Sequence, residues 1–358
     1  MVSRNIYWLE WNDCAIEAQT KTESLLIKML DKFNREINYL RVSITDRCNL
    51  HCNYCRPKEG VSWKGHEDIL RYEEIIRVVS VAVKMGLIKV RVTGGEPMVR
   101  RGFVEFLAAL KKIKGLQDIS LTTNGILLEE YAEAIYQAGI RRINISLDSL
   151  DKDKYARITG GGDLDAVLRG IVRAEEIGFY PLKINTVAIK GFNDDEVLAF
   201  ARLAADKPFQ VRFIELMPVG QANLALQEEY LPADRLMQTI SSKYELEPLS
   251  GKRNQSDGPA KIFKVKGGHG EIGFINPISN HFCSTCNRLR LTADGKLRVC
   301  LLQDEERDLR TALRANCNNA ELEYLIREAI LLKPKQHDLT CTGRNLKKCH
   351  REMSAIGG

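Results

Sequence analysis

From residue 38 to 217 the chain alternates without a break between strand-like and helix-like segments. Strand candidates are 39–45, 88–93, 117–122, 140–147, 182–189 and 209–216. Helix-period stretches lie between them: 72–85, 104–112, 128–138, 164–177 and 194–205. Successive βα units form a parallel sheet with right-handed crossovers. A closed barrel of this kind needs eight units. Six predict an α/β fold built on an incomplete (β/α)6 TIM-like barrel.

Within those strands the alternation has a definite sense. Val42 and Ile44 share one face, Arg41, Ser43 and Thr45 the other. Val90 and Val92 oppose Arg91 and Thr93; Ile119 and Leu121 oppose Ser120 and Thr122; Ile143 and Ile145 oppose Asn144 and Ser146; Ile184 opposes Lys183 and Asn185; Val211 and Phe213 oppose Arg212. Side chains alternate faces along a strand. The apolar set belongs under the helices, so the inner face is polar and basic. Closed eight-stranded barrels fill that space with branched apolar side chains. The pattern instead predicts a wet, positively charged cavity.

Three cysteines, Cys48, Cys52 and Cys55, follow the first strand with C-x3-C-x2-C spacing. Structural zinc sites normally take four ligands in two close pairs. Three close thiolates suit an iron–sulfur cube with one open iron, with zinc as the alternative. Other polar turns end later strands: Thr93-Gly94-Gly95-Glu96-Pro97, Thr122-Thr123-Asn124-Gly125, Ser146-Leu147-Asp148 and Glu215-Leu216-Met217-Pro218. In a parallel barrel these all fall on the C-terminal rim, where active sites sit. Paired glycines let backbone approach a neighbour that a side chain would block.

C-x3-C-x2-C with Tyr54 before the third cysteine resembles the radical S-adenosylmethionine (SAM) superfamily. A second set, Cys283, Cys286 and Cys300, flanks a hairpin signal at Asp294-Gly295. By itself this set also fits a zinc ribbon, with Cys317 as fourth ligand. Together with the Arg288-Leu289-Arg290 segment it is similar to the GTP 3′,8-cyclase family of radical SAM enzymes, from about Asn38 to the C-terminal Gly-Gly. The resemblance implies two [4Fe-4S] clusters, one on each cysteine set, and SAM held near Tyr54, Gly95, Ser146 and Met217. It implies GTP held by Arg41, Arg91, Thr122, Lys183 and the Arg288–Arg290 segment, with catalytic parts for Arg212, Gly357 and Gly358. It also implies an electron-donor protein, product passed to cyclic pyranopterin monophosphate synthase, and a possible homodimer. The competing readings are a radical SAM peptide-modifying enzyme with an auxiliary cluster, and a non-enzymatic zinc or iron–sulfur protein.

Three units are expected: an N-terminal extension over 1–37, the barrel over 38–250 and a C-terminal α+β domain over 251–358. In the extension 24–33 reads as helical. In the C-terminal domain 261–266 and 271–275 read as strands, and 305–315 and 320–330 as helices. The net charge of +6 suits an anionic small molecule and is too small to argue for nucleic acid. No apolar run reaches membrane-spanning length, and the N-terminus lacks the basic-then-apolar pattern of a signal peptide and carries acids that a transit peptide avoids, so a cytoplasmic or, in a eukaryote, organellar-matrix location is expected. Ten cysteines, six of them in two sets, fit metal binding in a reducing compartment.

Overall fold

The computed structural model describes residues 28–56, 63–219, 229–249, 258–337, 349 and 351–357. Six βα units follow one another as the sequence requires. The strands are β1 (Tyr39–Ser43), β2 (Lys89–Thr93), β3 (Asp118–Thr123), β4 (Arg142–Ser146), β5 (Leu182–Ala188) and β6 (Gln210–Glu215). Between them run α1 (Tyr72–Lys84), α2 (Phe103–Lys111), α3 (Leu128–Gln137), α4 (Lys152–Thr159), α5 (Leu164–Ile177) and α6 (Val197–Asp206). Helix α4 is an addition to the expected set. All five pairings from β1 to β6 are parallel.

The C-terminal half extends this sheet at both ends. Beyond α7 (Ala233–Ser241) come β7 (Leu246–Pro248), β8 (Lys261–Val265) and β9 (Glu271–Ile275). Strand β9 lies parallel to β6. On the other side β10 (Arg288–Leu291) lies parallel to β1, followed by antiparallel β11 (Lys296–Arg298) and β12 (Glu306–Asp308). One sheet therefore runs β12-β11-β10-β1-β2-β3-β4-β5-β6-β9-β8-β7. The expected hairpin at Asp294-Gly295 is β10–β11, with Gly295 at φ 80° in its turn. The chain closes with α8 (Arg310–Arg314), α9 (Asn319–Leu331) and the single turn α10 (Met353–Ile356).

Two local expectations are overturned. Residues 305–315 do not form one helix: Glu306–Asp308 pairs with β11, and the helix begins only at Arg310. Residues 28–33 of the extension are not helical, since Leu30 bridges antiparallel to Glu36. Met29 and Ile37 join the main core. Arg35, paired with Asp31 at 2.6 Å, donates to the carbonyls of Cys283 (2.7 Å) and Pro334 (2.6 Å). The end of the extension thus packs against the second cysteine set. The rest of the extension and most of the polar stretch 251–259 lie outside the described residues, as do Cys14 and Cys341.

The main core fills the space between sheet and helices. Val42, Ile44, Val90, Val92, Leu121, Ile143, Ile145, Ile184 and Val211 are all fully buried there. The opposite face curls inward. A flat sheet would set β1 and β6 roughly 24 Å apart, yet Arg212 of β6 feels the charges of Arg91 and Arg41.

A buried carboxylate joins the β6 rim to the C-terminal strands. Glu215 accepts the backbone N–H groups of Ala233 (3.2 Å), Ile278 (3.0 Å) and Ser279 (3.0 Å). Removing it orphans those donors, each costing about 1–3 kcal/mol when buried. Glu215→Ala is expected to lower unfolding free energy by about 3 kcal/mol or more in a urea titration; a loss below about 0.5 kcal/mol, the surface-substitution range, would contradict this brace.

Candidate active site

The loop after β1 carries Cys48, Cys52 and Cys55, all free and half-buried. It is pinned from three sides. His51 N and Asn53 N donate to the carbonyls of Thr159 and Ile158 at the end of α4, each at 2.9 Å. Tyr54 Oη donates to Asp148 Oδ2 at 2.6 Å, fastening the loop to the β4 rim. Gly95 N donates to Thr45 O at 2.7 Å and Glu96 N to Arg47 O at 2.8 Å. A Cβ at Gly95 would strike the backbone of Asp46 and Arg47. The glycine pair is therefore required first by the close approach of two rim loops. Glu96, fully buried, accepts from Met98 N, Thr123 Oγ1 and Asn124 N, bracing the β2 rim to the β3 rim. Burial pushes its carboxyl up to about 7 against those donors.

The three thiols act on one another. Burial raises Cys52 and Cys55, the latter to about 12, and the neighbouring thiols add to it: Cys55 and Cys48 on Cys52, Cys48 on Cys55. Three crowded, buried thiolates would repel, and a cationic centre relieves that repulsion. The donor set thus fits a thiolate-bound cluster.

The second set sits in the turn before β10 and just after β11. Cys286 N donates to Cys283 O at 3.2 Å, and the hairpin returns Cys300 beside them, where it acts on the Cys283 thiol. Burial raises the Cys286 thiol, but Arg288 and Lys333 outweigh it and hold it at about 6. Lys333, itself buried, donates to the carbonyls of Arg288 (2.8 Å) and Val299 (2.6 Å). Cys317 is not brought to this set: it packs on the main core, whereas Cys300 packs on a separate apolar cluster. Among the described residues no three His, Cys, Asp or Glu side chains are grouped closely enough to hold a single metal ion. A cube that takes each thiolate on a different iron asks for a wider triangle than one ion does.

The C-terminal segment links the two sets. Ser354 N–H donates to the Cys55 thiol. Ile356 and Met353 pack in the cluster that also holds Cys300 and Met217. Gly357, at φ 84°, sits so that a Cβ would lie 2.8 Å from Ser43 Cβ and 3.0 Å from Thr93 Cγ2, and its carbonyl accepts from Arg290 Nη1 at 2.6 Å. Gly358 lies outside the described residues.

Below this rim the strand register lines up five arginines, with Ser120 between the last two: Arg298–Arg290–Arg41–Arg91–Ser120–Arg142. Arg91 Nε donates to Ser120 Oγ at 3.3 Å. Lys183 and Arg212 complete the lining. Burial lowers Lys183 to about 7, aided by Arg212, Arg142 and Arg91. Burial and Arg91 lower Arg212 to about 9, and burial with Arg41 and Arg288 holds Arg290 well below its ordinary value. Arg212 is aimed by two amides, Asn185 Oδ1 at 2.9 Å and Asn144 Oδ1 at 2.5 Å. The Thr122 hydroxyl is buried on this face with no hydrogen-bond partner among the described residues. Ser146 lines the same face, half-buried. Leu289 does not: its side chain lies in the main core, so only its backbone is offered to a ligand. Crowded cations and an orphaned hydroxyl fit a polyanion carrying hydrogen-bonding groups.

Sequence reasoning did not single out Tyr39, Lys89, Asp118 or Arg142, which share the inner face. Lys89 and Arg142 pair with Asp118 at 2.9 and 2.7 Å. The same period-two count that found Arg41 and Arg91 reaches Tyr39 and Lys89. The bracing roles of Asp148 and Glu215 needed coordinates.

Comparison with known proteins decides the family. Residues 42–204 match the Radical SAM superfamily model and residues 209–339 the model described as Molybdenum Cofactor Synthesis C. The GTP 3′,8-cyclase of Moorella thermoacetica is 51% identical over 330 residues, covering 92% of this chain and 100% of the relative. The chain belongs to the GTP 3′,8-cyclase family. That of Listeria monocytogenes is 45% identical over 333 residues, covering 92% and 98%. Among solved structures, Streptococcus suis SuiB bound to precursor peptide SuiA superposes with a TM-score of 0.56 at 15% identity, covering 94% of this chain and 79% of that one. Native anSMEcpe with bound AdoMet gives 0.55 at 15%, covering 86% and 84%. At that identity these two establish the radical SAM fold alone. No helix among the described residues is long and apolar enough to cross a membrane.

The depressed Lys183 gives a pH signature. Above about pH 7 it is largely neutral in the free pocket. A bound polyphosphate favours the ammonium and restores its proton. Tripolyphosphate binding should therefore take up a proton at pH 8, and affinity should fall as pH rises from 7 to 9. Calorimetry in two buffers of different ionisation heat measures the uptake. Lys183→Met should remove this component; equal uptake by variant and wild type would contradict the assignment.

Proposed function

We propose that this chain is a radical SAM lyase that converts GTP to (8S)-3′,8-cyclo-7,8-dihydroguanosine 5′-triphosphate, the first step of molybdenum cofactor biosynthesis. The observation that carries this reading is the C-terminal segment, which touches Cys55 at one point, packs beside Cys300 at another and meets Arg290 at a third. Both cysteine sets thus open on one cationic chamber.

Cys48, Cys52 and Cys55 would hold one [4Fe-4S] cluster and Cys283, Cys286 and Cys300 the other. When bound, the first cluster and SAM would supply one-electron, hydrogen-abstracting chemistry: GTP would lose its 3′-hydrogen atom, C3′ would bond to guanine C8, and one further electron and one proton would complete the dihydroguanine ring. The chain's own part is to bind, orient and shield. Tyr54, fixed by Asp148, would flank SAM together with Gly95, Ser146 and Met217. Arg41, Arg91 and Lys183 would neutralise the triphosphate, and the Thr122 hydroxyl would find its missing partner on the nucleotide. The Arg288–Arg290 segment, continuous with the second cysteine set, would set the guanine end. Arg212, held by Asn144 and Asn185, offers a pre-aimed donor that needs no reorganisation when charge arrives. The half-buried rim and the tail over it limit stray hydrogen donors around a reactive radical. This chemistry calls for a one-electron donor protein, and the product is of a kind passed to cyclic pyranopterin monophosphate synthase; a homodimer is compatible with the reading. A peptide substrate would offer no polyanion to match the crowded cations Arg91, Lys183 and Arg212.

Anaerobic reconstitution with iron and sulfide, then incubation with GTP, SAM and reductant, tests the proposal. Roughly eight irons per chain, 5′-deoxyadenosine and cyclised guanosine triphosphate are expected. Stoichiometric zinc with no SAM cleavage would overturn it. In the same assay Arg288→Ala should retain most SAM cleavage but lose cyclised product at least about tenfold; wild-type yield would remove Arg288 from the mechanism.

A further inference from the structure

Helix α10 is one turn long, far too short to hold its shape alone. Something outside it must fix residues 351–357. Arg351 donates through Nη1 to both carboxylate oxygens of Glu306, at 2.8 and 2.7 Å, and through Nη2 to Asp294 Oδ1. Asp294 belongs to the β10–β11 turn and Glu306 opens β12, so both anchors stand on the strands that continue Arg290's hairpin. Each anion also serves a second cation: Lys64 lies 3.2 Å from Asp294, and Arg298 pairs with Glu306. The Arg351 side chain is only 18% exposed, so these charge-assisted bonds are little screened. Six residues on, the Gly357 carbonyl accepts from Arg290, which is buried and crowded by the cations Arg41, Arg288 and Arg298, with Tyr39 opposing them.

We propose that Arg351 is a positioning residue, a latch that fixes the C-terminal segment to the β10–β11 hairpin and so delivers the Gly357 carbonyl to Arg290. Its catalytic consequence rests on the reading of the chamber as a GTP-cyclising site. Because Asp294 sits in the turn that leads toward Cys300, the latch sets tail and hairpin relative to each other. Without it, Ile356 retains its apolar pocket but the segment loses its ionic anchor. Arg290 then loses the acceptor that offsets its crowding.

The test uses the full reconstituted chain with Arg351→Gln, Arg351→Lys, Asp294→Asn and the double variant Arg351→Gln/Asp294→Asn. Three quantities are read: iron per chain, amide hydrogen exchange over 351–357, and kcat and KM for cyclisation. Arg351→Gln should keep its iron, exchange over 351–357 at least about tenfold faster, and lose at least about tenfold in kcat with KM for GTP little changed. Arg351→Lys should fall between it and wild type. The double variant should lose less than the product of the two single losses, since the residues share one contact while Arg351 keeps a second on Glu306 and Asp294 a second on Lys64. Wild-type exchange and kcat in Arg351→Gln, or losses that multiply in the double variant, would overturn the latch. Should Arg351→Gln lose iron, the same two criteria apply to Arg351→Lys. If wild-type protein makes no cyclised product, the functional reading falls, while the exchange measurement still decides the latch.

Discussion

Cations crowded on the concave side of a curled sheet are the constraint on which the rest depends. Arg41, Arg91, Arg290 and Arg298 stand in register on neighbouring strands, and Lys183 and Arg212 face them across the curve. Carboxylates intervene at the two ends of the row, where Asp118 takes Lys89 and Arg142 and Glu306 takes Arg298. Such an arrangement is unfavourable for the empty protein. Burial first, and the neighbouring cations second, depress Lys183, Arg212 and Arg290. The large apolar core on the convex face holds the strands that carry these charges.

The rim repeats this logic with opposite sign. Cys52 and Cys55 are packed so that thiolates would repel, which a cluster relieves, whereas Arg288 and Lys333 favour the thiolate of Cys286. Protein groups then hold the loops where the thiols need to be: Tyr54 on Asp148, Glu96 across two strand ends, Arg35 on the Cys283 carbonyl. The β10 strand joins the two themes. Its alternate residues put Arg288 and Arg290 on the chamber face while Leu289 and Leu291 enter the core, and it begins two residues after Cys286. The second cysteine loop thereby leads directly into the strand that carries Arg288 and Arg290.

Much of this was legible in the sequence because period-two alternation is a local signal. Counting alone assigns Arg41, Arg91, Lys183 and Arg212 to one face; the register pairs Arg41 with Arg91, and the curl of the sheet brings Lys183 and Arg212 within reach of Arg91's charge. The cysteine spacings and the Asp294-Gly295 turn are equally local. What failed was also local in origin. Residues 305–308 carry helix-favouring charged side chains, and pairing with β11 overrode that propensity for Glu306–Asp308. Residues 28–33 read as helical until the bridge to Glu36 and burial of Met29 drew them into the body. The flanking of β1 and β6 by β10 and β9, and the tail reaching across to Cys55 and Arg290, rest on contacts between distant parts of the chain. No window of sequence carries them.

The account turns on two thiolate triads opening on a single charged chamber. Diffraction at the iron edge from reconstituted crystals grown with GTP tests it most directly. The prediction is two iron centres, at the Cys48 and Cys283 loops, with nucleotide density between them and the triphosphate against Arg91 and Lys183. Iron centres on opposite outer surfaces, or a nucleotide bound away from the arginine row, would contradict it.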